Sequence, residues 1–223
     1  MSAISQKKRA TVLGPDLNGT LMTPEEFDAI EEYDENYVYE LIHGVLIVNP
    51  IPLEGEVGPN EYLGHLLLAY WERDLQYSAL NATLPERYIR TKDSRRRADR
   101  VIWAGLGRVP DWKNDLPNIA VEFVSRARRD RVRDYEEKQR EYMALGIDEY
   151  WIIDRFRRIM TVVLNGRKGP KVRIVREHET YSIPLLPGFE LPLARLLEIA
   201  DRFDQPSSRG AHSAKRGAQK QKS

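Results

Sequence analysis

The sequence contains no cysteine, so it offers neither a disulfide framework nor a thiolate ligand, and a structural zinc finger is excluded. Any metal must rest on oxygen or nitrogen. Long apolar runs are missing as well: stretches such as residues 41–48 fall far short of the roughly 20 residues needed to span a bilayer. The N-terminal segment carries Lys7, Lys8 and Arg9, but no apolar core or small-residue cleavage site follows, so it does not read as a signal peptide and the expected location is the cytoplasm. A strong charge of one sign is the third absence. A net charge of +1 argues against bulk attraction to nucleic acid, and any such binding must depend on how charge is distributed.

What is present is the balance of a folded domain, with 41% hydrophobic and 31% charged residues in a chain long enough for one sizeable core. The expected organisation is a flexible N-terminal segment over residues 1–20, one domain over 21–204, and a tail over 205–223. That tail is Ser, Gly, Lys, Arg and Gln with almost no apolar residue. It cannot offset its ordering entropy, and the composition predicts basic disorder.

Thr23-Pro24-Glu25-Glu26 reads as a helix start, with a hydroxyl cap, proline at the first helical position and Glu26 placed to close a capping box. Residues 39–48 hold two apolar, β-prone runs around Gly44, which predicts a hairpin stopped by Pro50 and Pro52. Leu63, Leu66, Leu67, Tyr70 and Trp71 recur at helical spacing and predict a core helix over 60–75. Strands are expected at 87–91, 100–104 and 119–124, a helix over 130–145 ended by Gly146, and strands at 150–154, 159–164 and 172–175. The last two are joined across Asn165-Gly166, and a short amphipathic helix over 193–203 follows. The fold class implied is α/β, a central mixed sheet flanked by helices with a β-rich C-terminal portion.

Three residues break these patterns. Glu122 sits inside the apolar run Ile119-Ala120-Val121-Glu122-Phe123-Val124, where an ionised carboxylate is costly unless it is paired or bound to a metal. The ordinary alternative is a solvated face shared by Ala120, Glu122 and Val124, or an arginine partner. Asp99 stands at the mouth of a second apolar strand, Arg100-Val101-Ile102-Trp103-Ala104. If the two strands are neighbours, two hard oxygen donors, a backbone carbonyl and waters would suit Mg²⁺. Lys138 falls within the apolar arc of Val132, Tyr135, Gln139, Tyr142 and Met143 on its helix. Snorkelling from the edge of that arc is the ordinary explanation; the chemical one is an ammonium that orients water or stabilises charge on a phosphate. Arg97, Arg126, Arg128 and Arg129 flank these acids and would favour a phosphodiester, since arginine binds phosphate in a forked geometry. For any single arginine, solvated loop charge is the simpler account.

The order Asp, then Glu in an apolar strand, then Lys resembles the PD-(D/E)XK, restriction-endonuclease-like superfamily, and more narrowly the Uma-type endonucleases. The resemblance spans residues from about 21 to 197. It is carried by Tyr39-Glu40-Leu41-Ile42-His43-Gly44, Val121-Glu122-Phe123-Val124-Ser125, Asp134-Tyr135-Glu136-Glu137-Lys138, Tyr142, Gly146-Ile147-Asp148-Glu149-Tyr150-Trp151-Ile152-Ile153-Asp154 and Leu186-Pro187-Gly188-Phe189-Glu190-Leu191-Pro192. The resemblance implies Asp99 and Glu122 as metal-binding acids, the carbonyl of Phe123 as a further ligand, and Glu40 as a supporting acid on the early hairpin. It also implies Lys138, on the helix after the strand, in the catalytic role. Pro110-Asp111 spells the superfamily's literal dipeptide, but Trp112-Lys113-Asn114-Asp115 cannot continue as an apolar strand, so Asp99 is preferred. Ala98 stands where the family usually has proline, and Asn60 or Glu61 where it often has histidine.

The expected activity is Mg²⁺- or Mn²⁺-dependent hydrolysis of phosphodiester bonds in nucleic acid, most naturally DNA, with a homodimer as one option for assembly. The rivals are a nuclease-fold scaffold or nucleic-acid-binding module without turnover, and a glycosidase using Asp99 and Glu122 as acid and base.

Overall fold

The structure is a computed structural model that describes residues 12–73, 78–125 and 133–203. The tail expected over 205–223 lies outside the described residues, as does 1–11 of the expected N-terminal segment. Residues 12–20 are docked: Leu13 is buried and its backbone bonds both Glu32 and Asp34.

Thr23 caps α1 (Pro24–Asp28) with the reciprocal Thr23/Glu26 capping box that the sequence spells. The expected hairpin is β1 (Tyr37–Ile42) and β2 (Val45–Pro50), turning through His43 and Gly44, both at positive φ. The core helix is longer than its periodic stretch: α2 runs Glu54–Arg73 and carries Pro59 within it. Strands β3 (Leu80–Arg90) and β4 (Arg95–Ala104) are each about twice their expected length. The arginine run at 95–97 reads as a loop, yet Arg95 is bonded to Asp28, Arg96 to Glu141 and Arg97 to Glu86. Neutralised in this way, the three can lie in a sheet. Asp99 consequently stands in the middle of β4 rather than at its mouth.

β5 (Ile119–Phe123) is the central strand and is buried at every position. It leads through a π-helical turn, Arg133–Lys138, into α3 (Gln139–Leu145), which ends at the left-handed Gly146. β6 (Glu149–Asp154), β7 (Ile159–Leu164), β8 (Lys171–Arg176), the short pair β9 (Thr180–Ser182) and β10 (Glu190–Pro192), and α4 (Leu193–Arg202) complete the chain.

The sheet order is β2-β1-β4-β5-β6-β7-β8, with β3 also paired to β4. All of these pairings are antiparallel except β5 with β6. A parallel pair requires a crossover, and the π turn with α3 supplies it. This is the mixed sheet that the sequence implies. Alternation along β5 then divides the core. Ile119, Val121 and Phe123 pack with α2 and α4 through Leu63, Leu67, Leu193, Leu196 and Leu197. Ala120 and Val124 pack with Tyr142 and Met143 of α3. A third cluster, Leu13, Phe27, Tyr39, Leu41 and Leu46, joins the N-terminal segment to the hairpin.

Candidate active site

Alternation along β5 puts Glu122 on the α3 side, between Ala120 and Val124. That face is buried, so the solvated reading fails, and Glu122 keeps its place by pairing. Its Oε1 accepts hydrogen bonds from Lys138 Nζ at 2.8 Å and from the Tyr142 hydroxyl at 3.4 Å. Lys138 does not snorkel: it is 2% exposed. The π turn that ends at Lys138 shifts the helical phase relative to α3, and such turns recur at functional sites. Here it delivers the ammonium to the ends of β4 and β5.

The same ammonium donates to the carbonyl of Arg97 at 2.7 Å and lies 3.6 Å from Glu40 Oε1. Glu40 Oε1 in turn accepts the Arg97 amide N–H at 3.0 Å. Glu40 and Lys138 thus hold the two sides of one peptide segment, at Arg97, just before Asp99. The hairpin, the crossover helix and β4 meet there.

β4 and β5 are registered Arg100 to Val121, and one further step brings Asp99 opposite Glu122. Asp99 Oδ2 accepts the amide N–H of Phe123 at 2.6 Å. At Phe123 it is therefore the N–H that meets the acid. Burial pushes the Asp99 carboxyl up from its ordinary pKa, and the Lys138 charge and the Phe123 N–H offset only part of that. Alternation slips here: Ala98 and Val101 both face α3, whereas Asp99 lines a cavity of about 190 Å³ with Asn60 and Glu61 of α2. The cross-strand neighbour of this irregular step is Glu86, held at φ 53°.

Asn60 fixes the strand from the other side. Its Nδ2 donates to the Asp99 carbonyl at 2.8 Å, while its Oδ1 accepts from Arg100 Nε at 2.7 Å. In the sequence Asn60 shows nothing of this role beyond standing near the place where a histidine is often found. The cue to its work was Arg100, a cation opening an apolar strand.

The structure therefore brings Glu40, Asp99, Glu122 and Lys138 to one place, with Phe123 and the backbone of Arg97. The Arg97 side chain points instead to Glu86, at 2.5 Å. Arg126, Arg128 and Arg129 lie outside the described residues. Asp111 keeps to its own loop, where its two oxygens accept from Lys113 N and Asn114 Nδ2 and hold its pKa down. Among the described residues, no three His, Asp or Glu side chains form a ready metal cluster. The carboxylates are each held by a protein donor. Their chemistry still fits a hard cation, because Mg²⁺ needs few protein ligands and keeps several waters, and the desolvated Asp99 carboxylate would gain from positive charge.

No helix among the described residues is long and apolar enough to cross a membrane. No curated protein matches the chain. A crystal structure from Anabaena variabilis ATCC 29413, described as "a putative nuclease belonging to DUF820", shares the fold with a TM-score of 0.59 at 13% identity, covering 80% of this chain and 99% of that one. The Uma2 profile, described as "Putative restriction endonuclease", matches residues 24–194, close to the span over which the sequence motifs run. With most of its length matched, this chain belongs to the Uma2 family.

Proposed function

We propose that this chain is an endonuclease that hydrolyses phosphodiester bonds, with DNA as its substrate and Mg²⁺ or Mn²⁺ as its cofactor. The observation that carries this reading is the enclosed Lys138–Glu122 pair at 2.8 Å, set directly beside Asp99 on the neighbouring strand. An ion pair removed from water is costly and gives stability little advantage over apolar packing, so a purely structural role explains it poorly. Membership of the Uma2 family and the nuclease-like fold support the same conclusion.

Asp99 and Glu122 would hold the cation, with the Phe123 carbonyl as a further oxygen donor. When bound, the divalent ion supplies Lewis acidity and neutralises phosphate charge. The chain's own groups do the rest. Lys138, fixed by Glu122 and the Arg97 carbonyl, presents a compact ammonium to the negative charge that grows on the phosphate as water adds and one P–O ester bond breaks. The proton lost by the water ends on the departing oxygen. Glu40 keeps the Arg97 peptide, and with it the start of the Asp99 segment, in register.

One observation favours a second reading, a nucleic-acid-binding module without turnover: no three-ligand cluster is assembled among the described residues. Initial cleavage rates on double-stranded DNA, single-stranded DNA and RNA, with Mg²⁺ and with EDTA, separate the two. We expect Mg²⁺-dependent cleavage of DNA that falls at least ~100-fold in Lys138→Met. Because that substitution strands buried carboxylates, circular dichroism must show a folded variant, and Lys138→Met/Glu122→Gln serves as the better-folded control. Cleavage that survives in Lys138→Met, or that survives EDTA, sinks the mechanism.

A further inference from the structure

Beside the candidate site lies a much larger cavity, about 740 Å³, between the docked N-terminal segment, β1 and β3. It shares Pro52, Val57, Pro85 and Glu86 with the smaller cavity that Asp99 lines, so the two adjoin along one cleft whose inner end carries the acid. The cleft's outer part is unusually aromatic. Phe27, Tyr33, Tyr37, Tyr39 and Tyr88 all line it.

These rings are anchored rather than loose. Phe27 and Tyr88 pack edge to face at 5.6 Å, as do Tyr33 and Tyr39 at 6.1 Å. The Tyr88 hydroxyl donates to the Tyr39 carbonyl, and the single proton of the Tyr39 hydroxyl is shared between the carbonyls of Leu13 and Asp34, at 3.1 and 3.0 Å. Tyr33 alone among them is mainly open to solvent, at 54% exposed, and it is backed by Tyr39. It is an accessible ring, backed on one side, at the edge of a cleft.

Charge in the cleft is mixed. Arg97 is paired with Glu86, and Arg90 lies 3.9 Å from Asp28. Arg87, exposed on β3, lines the cleft, as does Glu35. A near-balanced lining gives the phosphates of any nucleic acid little net attraction, so binding here has to come from other parts of the ligand. It suits a ligand that binds by its flat apolar faces. In a duplex those faces are hidden in the base stack, and they become available only when a nucleotide is unpaired. A volume near 740 Å³ falls in the range of small-ligand pockets, room for a few nucleotides and none for a double helix.

We propose that this cleft is a binding site for an unpaired nucleic-acid strand, in which bases stack on Tyr33 and the strand runs on towards Asp99, so that the substrate is single-stranded or locally unpaired. The proposal rests on the nuclease reading for what the cleft feeds, but not for its test. Binding is measured on the full chain in EDTA, which leaves bound strands uncleaved, by fluorescence anisotropy. The probes are a labelled 12-nucleotide oligothymidylate, its oligouridylate counterpart, and a blunt duplex of the same length.

The expected result is that an unpaired strand binds at least ~10-fold more tightly than the duplex, that Tyr33→Ala weakens it on the order of tenfold, and that Tyr33→Phe, which keeps the ring, restores it. Comparison of the two unpaired probes identifies the sugar preferred. Equal or tighter binding of the duplex, no detectable binding of either unpaired strand, or indifference to Tyr33→Ala overturns the proposal. Tyr33-dependent binding by a chain that cleaves nothing would uphold the cleft and reject the nuclease; cleavage indifferent to Tyr33 would do the reverse.

Discussion

Glu149 is a second buried acid, and it contrasts with Glu122. It opens β6 within the Gly146–Asp154 segment and faces the other side of the sheet, where it accepts from Trp151 Nε1 and the Tyr181 hydroxyl, each at 2.8 Å. Both partners are neutral. Burial therefore dominates and pushes the Glu149 carboxyl above its ordinary pKa, with the two hydrogen bonds opposing. The sign of the consequence follows from linkage. Between the unfolded value and the raised folded value the native state holds a proton that the unfolded chain has released, so stability falls as pH rises through that window and stays reduced above it. Glu149→Gln keeps an acceptor for both donors and carries no charge. We expect it to gain stability relative to the parent as pH rises from 4 to 8, measured by urea midpoints at the two ends. A difference that is flat with pH would show that Glu149 stays ionised at no cost. Glu122 instead meets Lys138, a cation, at 2.8 Å, where the partners of Glu149 are neutral. This contrast was only half legible in the sequence. A carboxylate inside an apolar run marked Glu122 as unusual, but nothing local could identify its partner 16 residues on.

At the scale of elements, the hairpin, β5, β6, β7 and α4 follow from periodicity and capping because their own residues determine them. β3 and β4 run longer than their apolar patterns because the arginines of β4 are neutralised by acids from α1, α3 and β3, a long-range fact that no local pattern carries. β9 and β10, three residues each, are too short to show alternation. The π turn was likewise hidden, since six residues of i, i+5 bonding look helical in sequence. The seating of α2 on β4 is another such long-range fact. A Cβ on Gly64 would lie 2.7 to 3.0 Å from the guanidinium atoms of Arg100, which is held by Asn60 Oδ1, the Asn60 carbonyl and Thr83. Alanine in place of glycine stabilises a helix interior by about 1 kcal/mol. Displacing a buried charged donor from its acceptors costs about 1.5–3 kcal/mol. The loss should win: Gly64→Ala is expected to destabilise by roughly 0.5–2 kcal/mol on these figures, read as a lower denaturant midpoint. A stabilised variant would mean that Arg100 can move aside freely, and that the Asn60 clamp on Asp99 is slack.

For the molecule as a whole, the sheet order explains why four distant sequence positions form one site. β5 is central, β4 and β6 flank it, the crossover between β5 and β6 carries Lys138, and the hairpin pairs with β4 through Leu41 and Arg95, which sets Glu40 next to the Arg97 peptide. Three acids around one lysine would carry excess negative charge when all are ionised, and a divalent cation would offset it. A ligand that binds only the folded chain stabilises it by about 2.7 kcal/mol when present at 100 times its dissociation constant. For a chain of this size each kcal/mol moves the melting temperature by roughly 2–4 °C. Saturating Mg²⁺ should therefore raise Tm by about 5–10 °C over NaCl of matched ionic strength, with no substrate present. Asp99→Asn should lose most of that rise, because an amide keeps the acceptor for the Phe123 N–H but removes the charge that draws the ion. Asp111→Asn, on a loop with its own internal hydrogen bonds, should keep it. A Tm indifferent to Mg²⁺ would count against a resident cation whatever the chain does to nucleic acid, and a rise lost in Asp111→Asn but kept in Asp99→Asn would move the ion to the Pro110-Asp111 dipeptide.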